Sequence, residues 1–403
     1  MTWHDLVDTR PRLLVVGASF LQVPALRRAA EMGFRVGALD RDPEAVGRPL
    51  ADDFFEVSTT DGEGVTRVAT TYRPRGIVTI GTDLPMRAIA AACWKLGLPG
   101  PTEAAVWRAT DKGAMAEALA AAGIPAPRFR VLGGDTDLDG LPEELGLPLV
   151  LKPVDSSGSR GVVLVDELAD QAECFGYAQS HGRSGRVIAQ EFVTGPECSV
   201  EILCAGDGIE VVAVTDKLTT GAPHFVELGH SQPTAFSEPV RREVETVAVG
   251  AVGALGLRDC AVHAEIILTD QGPKVIELGA RLGGDLITSH LTPLSTGVDM
   301  IEALIRIACG EVPQIVARDL GGSAVRFFSG PEQGRFEVVG IDEVRGRPGV
   351  MEATVLASQG HPVRSSVDRA GYVVAVAGDA PAAVRVCEDA LMSLEIVRDG
   401  DAP

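Results

Sequence analysis

The stretch that decides the fold of this chain is residues 263–285, HAEIILTDQGPKVIELGARLGGD. Two apolar runs, AEII and KVIEL, flank a turn-rich TDQGP, and this pattern predicts a β-hairpin. Each run carries one carboxylate, Glu265 and Glu277, and pairing of the strands would bring the two together. Paired carboxylates repel unless a cation lies between them, and Mg²⁺ accepts one or two carboxylates while nucleotide phosphates complete its coordination. Two solvated strand glutamates are the alternative interpretation of this segment alone.

Composition restricts the classes of function. The chain has 403 residues, 45% of them hydrophobic and 23% charged, as in globular proteins of two or three domains. Its formal net charge of −20 argues against binding to nucleic-acid backbones, because such binding needs clustered Lys and Arg. ATP remains a suitable ligand, since it needs only a few well-placed cations.

The sequence carries no pattern expected of export or membrane insertion. No basic leader precedes an apolar run at the start, and no apolar run approaches the length of a membrane span. The seven cysteines are scattered without a C-x-x-C pair, which predicts reduced, mostly buried thiols and not zinc ligands. We therefore expect a cytoplasmic protein that acts on small molecules without nucleic acid or membrane, and we leave a homodimer open.

Strands alternate with helices in the first part of the chain. Residues 12–19, 34–40 and 75–83 read as three strands and residues 24–33 as a helix. This alternation predicts a doubly wound parallel sheet with a ligand crevice at the strand ends. The first turn, GASFLQ, lacks the G-x-G-x-x-G of dinucleotide-binding folds, so this part of the chain names no function by itself.

Two lysines mark the next part of the chain. Lys112 lies near a helix start within the Ala-rich residues 102–129, where a solvated lysine is the simpler interpretation. Lys152 ends an apolar strand, and the loop DSSGSRG, residues 155–161, leads into a second strand. A lysine deep in an apolar strand is costly unless it meets an anion, and small loop residues let backbone N–H groups approach phosphates. The pattern predicts a hairpin lid, because a P-loop needs G-x-x-x-x-G-K-S/T and a following helix.

Residues 187–203, VIAQEFVTGPECSVEIL, read as two strands separated by a turn. An extended backbone with an open edge can pair with adenine through one carbonyl and one N–H. A glutamate just past the turn, here Glu197, can bind both ribose hydroxyls. The segment is therefore a candidate nucleoside-binding hinge.

These features, in this order, resemble the ATP-grasp superfamily. They are the TDK lysine, the LKP lysine with its glycine- and serine-rich loop, the QEFVTGPE hinge and the paired acids of HAE and IELGAR. Within that superfamily the chain is similar to carboxylate–amine ligases of the L-amino acid ligase type, which form dipeptides. The resemblance covers residues 12–400.

The resemblance implies a mixture of α/β and α+β folds. An N-terminal doubly wound α/β domain, residues 1–105, would precede an ATP-grasp fold of two α+β subdomains that clamp ATP. The central or lid subdomain would span residues 106–200. The second subdomain, with a β-rich C-terminal portion from SAVRFF to RAGYVVAVAGD, would span residues 201–403.

The resemblance also implies a nucleotide site. Its cofactor-binding residues would be Lys112, Lys152, Ser157, Gly158, Gly161, Gln190, Val193 and Glu197. The two lysines would hold the α- and β-phosphates, and the loop residues would close over the γ-phosphate. Backbone atoms of the hinge pair would contact adenine, and the glutamate would bind ribose.

The metal site implied by the resemblance consists of Glu265 and Glu277 with two Mg²⁺ ions, for which Mn²⁺ is an alternative. Many ATP-grasp enzymes carry an asparagine two residues after the second glutamate, whereas this chain has Gly279. One ligand of the second ion is therefore in doubt, and water or a phosphate oxygen would replace it.

Substrate residues follow from the same resemblance. Arg281 would neutralise the carboxylate and the acyl-phosphate formed from it, and Gly284 belongs to the glycine pair that follows it. Glu227 would lie near the ammonium of the first amino acid and His230 near the acyl-phosphate. Asp285 would line the pocket of the second substrate, where an acid would favour a polar or cationic amine. Arg281, His230 and Gly284 are thus the predicted catalytic residues.

The expected reaction is ATP-dependent joining of a carboxylate to an amine, with release of ADP and phosphate. Phosphoryl transfer to the carboxylate would give an acyl-phosphate, and such transfer needs positioning and charge neutralisation more than side-chain nucleophiles. A formate- or bicarbonate-activating relative, of the purine-pathway or biotin-carboxylase kind, is the first alternative. A nucleotide-binding regulatory module or a nicotinamide-dependent enzyme is the second, and the absent G-x-G-x-x-G argues against it.

Overall fold

A computed structural model describes residues 8–133, 138, 140–158, 160–167, 170–222 and 225–398. Its N-terminal part is built on a parallel sheet in the order β3-β2-β1-β4. The strands are β1 (Arg12–Val16), β2 (Arg35–Asp40), β3 (Asp53–Glu56) and β4 (Gly76–Val78), and the helices are α1 (Val23–Glu31), α2 (Gly62–Tyr72) and α3 (Met86–Leu96).

The predicted doubly wound sheet is confirmed, with one strand more than expected. The sequence suggested three strands, and the structure adds β3, whose four residues DFFE lie at the sheet edge. None of its residues is fully buried, so the segment lacks the apolar run that identified the other strands.

The Ala-rich stretch forms two helices, α4 (Glu103–Thr110) and α5 (Lys112–Ala121). Asp111 separates them because its backbone is extended and its side chain caps α5 by accepting the Ala114 N–H at 2.9 Å. The next part of the chain contains β5 (Phe129–Leu132), α6 (Leu141–Leu145), β6 (Leu149–Pro153), β7 (Val163–Val165), α7 (Gln171–Ser180) and β8 (Val187–Glu191).

These strands form an antiparallel sheet in the order β5-β8-β6-β7. Because β6 and β7 pair antiparallel on either side of the glycine- and serine-rich loop, the predicted strand–loop–strand hairpin is confirmed.

The third part of the chain is built on an eight-stranded sheet. Its elements begin with β9 (Glu197–Ala205), β10 (Gly208–Thr219), β11 (Glu227–Gln232), α8 (Glu238–Leu255), β12 (Cys260–Thr269), β13 (Gly272–Gly279), α9 (Thr292–Thr296) and α10 (Met300–Ala308). They continue with β14 (Gly322–Phe328), β15 (Phe336–Val339), α11 (Ile341–Arg345), β16 (Val350–Val355), β17 (Gly371–Ala377), α12 (Ala380–Leu391) and β18 (Glu395–Arg398). The strand order is β13-β12-β9-β10-β11-β14-β17-β16, and β15 pairs separately with β18.

The eight-stranded sheet has one apolar and one polar face where it borders the cleft. Successive strand residues point to opposite faces, so Val200 and Ile202 of β9 pack in one core with Val244 and Ala248 of α8. Glu197 begins the alternate set on the same strand, and that set points to the other face. This alternation places the charged residues of several strands side by side.

The hairpin that opened the sequence analysis is confirmed. β12 and β13 pair antiparallel with Glu265 directly opposite Glu277, and a bulge follows in which Ile276 of β13 is the extra residue. The two strands of the hinge segment belong to different sheets, β8 to the four-stranded and β9 to the eight-stranded one.

The cysteines of this chain are free thiols. The seven cysteines are unpaired and five of them are buried. Burial raises the pKa of Cys93 to about 12, which makes that thiol unreactive.

Among the described residues, no helix has both the length and the apolar character needed to cross a membrane.

Candidate active site

A cleft lies between the four-stranded sheet with its lid and the polar face of the eight-stranded sheet. Nine of the predicted site residues line it, namely Lys112, Lys152, Ser157, Gln190, Val193, Glu197, Glu227, Glu265 and Glu277. They come from segments far apart in sequence, so the fold brings together most of the predicted nucleotide and metal residues.

The paired carboxylates are each neutralised by a different lysine. Lys112 Nζ donates to Glu277 Oε1 at 2.9 Å, and Lys217 Nζ donates to Glu265 Oε2 at 2.9 Å. Burial raises the pKa of Glu265, but Lys217 and His263 together outweigh that effect and hold the pKa well below its usual range. The described residues contain no group of three or more His, Cys, Asp or Glu side chains arranged to hold a metal. Two facing carboxylates suit Mg²⁺ when phosphate and water supply its other ligands.

Lys217 is a residue of the cleft that sequence reasoning missed. Its side chain is 4% exposed, and Nζ lies 2.7 Å from Glu197, 2.9 Å from Glu265 and 3.9 Å from Glu227. Burial lowers the pKa of Lys217, but the three carboxylates raise it well above its usual value. The available signal was a lysine in the apolar strand VVAVTDKL, the kind of signal that identified Lys152.

Lys152 has different surroundings. It is 9% exposed on β6, and no described residue forms a hydrogen bond or an ion pair with its side chain. Burial lowers the pKa of this lysine, and the more distant Glu277 opposes that effect only in part. A buried ammonium without a protein anion fits a bound phosphate, and the lid lies directly beside it.

The lid is tied to the metal acids through Lys112. Nζ of this lysine donates to the Ser156 carbonyl at 2.7 Å as well as to Glu277. Gly161 has φ of 78°, and a Cβ there would lie 2.5 Å from Cβ of His181. Gly158 has φ of 66° with open space around it. Of these two glycines, Gly161 is therefore the one that both the positive φ and the lack of space for a Cβ require. Ser159 of this loop lies outside the described residues.

The hinge divides the predicted adenine contacts. Gln190 has register partners on both sides, Phe129 on β5 and Val150 on β6, so its backbone lies inside the sheet. Val193 follows the end of β8 and makes no backbone hydrogen bond to any described residue. The open edge expected for adenine therefore lies at Val193, while Gln190 lines the cleft from within the sheet. Glu197, at the start of β9, is held by Lys217.

Arg281 lies outside the residues that line the cleft and pairs with the N-terminal domain. Its Nη2 donates to Asp83 Oδ2 at 3.0 Å and its Nε to Asp83 Oδ1 at 3.2 Å. A Cβ at Gly279 would lie 2.6 Å from Asp83 Oδ1, so the side chain of Asp83 occupies the space that an asparagine would need. In the glycine pair, space is restricted at Gly283, where a Cβ would lie 2.7 Å from His263 Nδ1. At the predicted Gly284 a Cβ would make only ordinary van der Waals contacts.

The predicted substrate residues Glu227 and His230 lie on β11. Glu227 lines the cleft, accepts a hydrogen bond from Ser366 and lies 3.9 Å from Lys217. His230 is 2% exposed. Pro223 and His224, which precede this strand, lie outside the described residues.

Asp285 is held by a residue that the sequence did not single out. Arg369 binds it through two hydrogen bonds, Nη2 to Oδ1 at 2.6 Å and Nη1 to Oδ2 at 2.9 Å. Because this guanidinium neutralises the carboxylate, the charge-based reason for a cationic second substrate does not hold.

Comparison with known families matches two regions of the chain. Residues 109–285 match the ATP-grasp domain, and residues 326–398 match the L-amino acid ligase C-terminal domain 2. An uncharacterized protein of Sinorhizobium fredii is 30% identical over 79% of this chain and 67% of its own length. Alanine–anticapsin ligase of Bacillus subtilis is 28% identical over 61% of this chain, and human carnosine synthase 1 is 27% identical over 76%. The alignments span 56% and 40% of the length of those two enzymes.

Solved structures agree on the fold. The L-amino acid ligase of Bacillus licheniformis has a TM-score of 0.83 at 21% identity and covers 96% of this chain and 99% of its own. The biotin carboxylase domain of Hydrogenobacter thermophilus 2-oxoglutarate carboxylase, solved with the magnesium salt of ADP, has a TM-score of 0.77 at 19% identity and covers 96% of this chain and 91% of its own.

The chain therefore belongs to the ATP-grasp superfamily, with the C-terminal domain of the L-amino acid ligases. It is an ATP-grasp ligase of the class that forms C–N bonds.

Proposed function

We propose that the protein activates an amino-acid carboxylate as an acyl-phosphate and joins it to an amine, forming an amide or dipeptide and releasing ADP and phosphate. The observation that supports this most is the opposition, across one cleft, of the paired Glu265 and Glu277 to the buried Lys152. Positive charge meets phosphate from one side, and carboxylates that suit Mg²⁺ meet it from the other.

The residues divide the work by charge. Lys112 and Lys152 bind the phosphates, and the lid from Asp155 to Gly161 keeps water from the acyl-phosphate. Glu265 and Glu277 would hold two Mg²⁺ ions, which neutralise the transferring phosphoryl group when bound. Arg281 binds the acid after exchanging Asp83 for the substrate carboxylate.

Amino acids are the proposed substrates because the relatives with named activities include alanine–anticapsin ligase and carnosine synthase. Glu227 supports this choice, since a carboxylate at the cleft wall is a partner for an α-ammonium. Formate and bicarbonate carry no ammonium and would leave Glu227 without that role.

The domain boundaries after residues 105 and 200, the cytoplasmic location and a homodimer stay our predictions. The change of sheet lies between β8, which ends at Glu191, and β9, which begins at Glu197, so a boundary just before β9 fits the sheets better than one after residue 200, inside that strand.

ADP release measured across pairs of amino acids, with formate and bicarbonate as alternative acids, tests the proposed function. We expect release only when an amino acid supplies the carboxylate, and hydroxamate when hydroxylamine replaces the amine. Stimulation by formate or bicarbonate alone would overturn the choice of substrate. Absence of hydroxamate with every acid that stimulates ADP release would overturn the acyl-phosphate mechanism.

A further inference from the structure

The attacking amine must lose a proton, and the roles proposed above leave that proton without an acceptor. At neutral pH the amine of an amino acid is an ammonium ion with no free lone pair, so a base must act before it attacks. This inference rests on the proposed function and assigns that base.

His230 lies beside the residues that bind the nucleotide. In the sheet register it is opposite Lys217 of β10 and Val325 of β14, and Lys217 is in turn opposite Glu197. Directly opposed residues point to the same face of a sheet about 5 Å apart. The imidazole therefore projects from the face that carries the proposed ribose and metal acids.

The ring of His230 is buried without partners. It is 2% exposed, and neither Nδ1 nor Nε2 has a hydrogen-bond partner within the part of the chain that the structure describes. Buried polar atoms are nearly always hydrogen-bonded, so a ring with both nitrogens unpaired indicates a ligand as the partner.

Asp285 is the group that orients this ring. Its Oδ2 lies 3.6 Å from His230 Nε2. Asp285 and the following Leu286 have φ of 50° and 65°, in the left-handed region that residues other than glycine rarely adopt. Such backbone strain is concentrated at functional sites, and the surrounding contacts must hold it.

Arg369 holds Asp285 in this conformation. Besides its two hydrogen bonds to Asp285, its Nε donates to the Ser366 carbonyl at 2.6 Å, and the guanidinium stacks 3.6 Å from the centre of the Phe327 ring. Burial raises the pKa of Asp285, but the nearby His230 ring and the two hydrogen bonds from Arg369 outweigh it and hold the pKa well below its usual range. The carboxylate is therefore ionised and fixed.

Other charged groups surround the imidazole from the neighbouring strands. Lys217 lies opposite on β10, and Arg326 of β14 donates from Nη1 to the His230 carbonyl at 3.3 Å. Glu227 precedes His230 on the same strand. Asp285 Oδ2 faces Nε2 of the ring at 3.6 Å, which favours the neutral tautomer that carries its proton on Nε2 and leaves the lone pair on Nδ1.

We propose that His230, oriented by Asp285 at Nε2, is the catalytic base that accepts a proton from the attacking ammonium at Nδ1. Asp285 and Arg369 are positioning residues. The lone pair thus released attacks the carbonyl carbon of the acyl-phosphate, the C–N bond forms, and the C–O bond to phosphate breaks with its electron pair leaving on phosphate. The second proton of the nitrogen passes to that phosphate, and His230 returns its own proton to solvent.

Two acceptors of different basicity test the inference. Hydroxylamine is unprotonated at neutral pH and needs no base, whereas an amino acid arrives as ammonium. For His230→Gln we expect amide formation to fall at least 100-fold and hydroxamate formation less than fivefold, because general base catalysis contributes about 10²–10⁴-fold. The loss of amide formation should shrink as pH rises and the amine becomes unprotonated. Asp285→Asn should reproduce the selective loss more weakly and move the acidic limb of its pH–rate profile.

Hydroxamate formation is the folding control within each variant. An equal loss with both acceptors, or no loss with the amino acid, in His230→Gln and Asp285→Asn would overturn the base assignment while leaving the ligase function in place. A wild-type enzyme that forms neither hydroxamate nor amide would overturn the proposed function and this inference together.

Discussion

At the scale of single residues, two buried lysines in the same cleft have opposite surroundings. Lys217 lies within 4 Å of three carboxylates, whereas Lys152 pairs with no described residue. One lysine neutralises acids of the protein itself, and the other suits an incoming anion. Their surroundings, and not their residue type, therefore distinguish Lys217, which neutralises carboxylates of the protein, from Lys152, which suits a phosphate.

Glu277→Gln tests the metal site. We expect turnover to fall at least 100-fold while ATP affinity weakens only severalfold, because Mg²⁺ mainly serves the transferring γ-phosphate. Turnover and nucleotide affinity are measured separately, with Glu210→Gln on the exposed end of β10 as the matched control. Near-normal ADP formation by Glu277→Gln would remove this residue from the site.

Lys217→Met tests the counter-charge. Removing one partner of a buried ion pair leaves the facing carboxylates unneutralised, and we expect a loss of about 3–5 kcal/mol in the free energy of unfolding. Added Mg²⁺ should recover part of the lost Tm and should raise the Tm of the variant more than that of the wild type. Lys95→Met on the exposed side of α3 is the control. An unchanged Tm without Mg²⁺ would contradict the role assigned to Lys217.

At the scale of elements, the lid depends on backbone geometry. Gly161→Ala places a Cβ against His181 and Pro153 at positive φ, so the β6–β7 hairpin must shift. We expect ATP affinity to weaken about tenfold, or roughly 1–2 kcal/mol. Gly158→Ala, where the space is open, should cost less. Hydrogen exchange of the lid amides with and without Mg-ATP reports the same change, and equal wild-type affinity in both variants would argue against a phosphate lid.

The hinge joins the two sheets through Glu191. Its Oε1 accepts from Lys274 of β13 at 2.8 Å and its Oε2 from Arg128 at 2.6 Å. Burial raises the pKa of Glu191, but these two hydrogen bonds outweigh it and bring the pKa to about 2.

A pH-dependent stability follows from that shift. Because the folded pKa lies below the unfolded value of about 4.3, the stabilisation is complete above that pH and is lost as pH falls toward 2. We expect Glu191→Gln to lose roughly 2 kcal/mol at neutral pH and little once the pH is at or below about 2. Thermal unfolding of both proteins across this range measures it. A difference in Tm that stays constant with pH would show that the pair contributes nothing through its charge.

At the scale of the whole molecule, the N-terminal domain completes the site. β4 runs on into a parallel bridge between Ile80 and Leu282, and Gly81 N–H donates to the Leu282 carbonyl at 3.1 Å. This contact places Asp83, at the carboxyl end of the parallel sheet, against Arg281. The crevice expected at the strand ends is therefore closed by the ligase part of the chain.

Arg281→Lys tests the acid-binding role across that junction. A lysine keeps the charge but loses the planar fork that grips two oxygens, so we expect acid-dependent turnover to lose roughly 2 kcal/mol or more of transition-state stabilisation. ATP affinity should change little, because the hinge lies on other strands. The test is hydroxamate formation from ATP, the best acid and hydroxylamine by the wild type and the variant. Hydroxamate formation by Arg281→Lys as fast as by the wild type would exclude recognition of the substrate carboxylate by the planar guanidinium.

The sequence by itself determined the local features of the site. The opposition of Glu265 to Glu277 follows from two neighbouring strands joined by a tight turn, and the lid follows from two strands around a small-residue loop. Lys152 was recognisable because a charge inside an apolar strand needs an anion wherever that strand lies. The alternation of apolar and polar residues and the choice of turn residues act within one hairpin, so the hairpin can be predicted without the rest of the chain.

Tertiary structure alone decided which distant residues meet. Lys217 contacts Glu265 across β9, which lies between their two strands. Asp83 of the N-terminal part occupies the space beside Gly279. Arg369 of the C-terminal part binds Asp285. None of these contacts leaves a local pattern, because a charged side chain takes its partner from whichever strands the sheets place beside it. The partners, and with them the charge state of each catalytic group, are therefore set by strand order and domain packing.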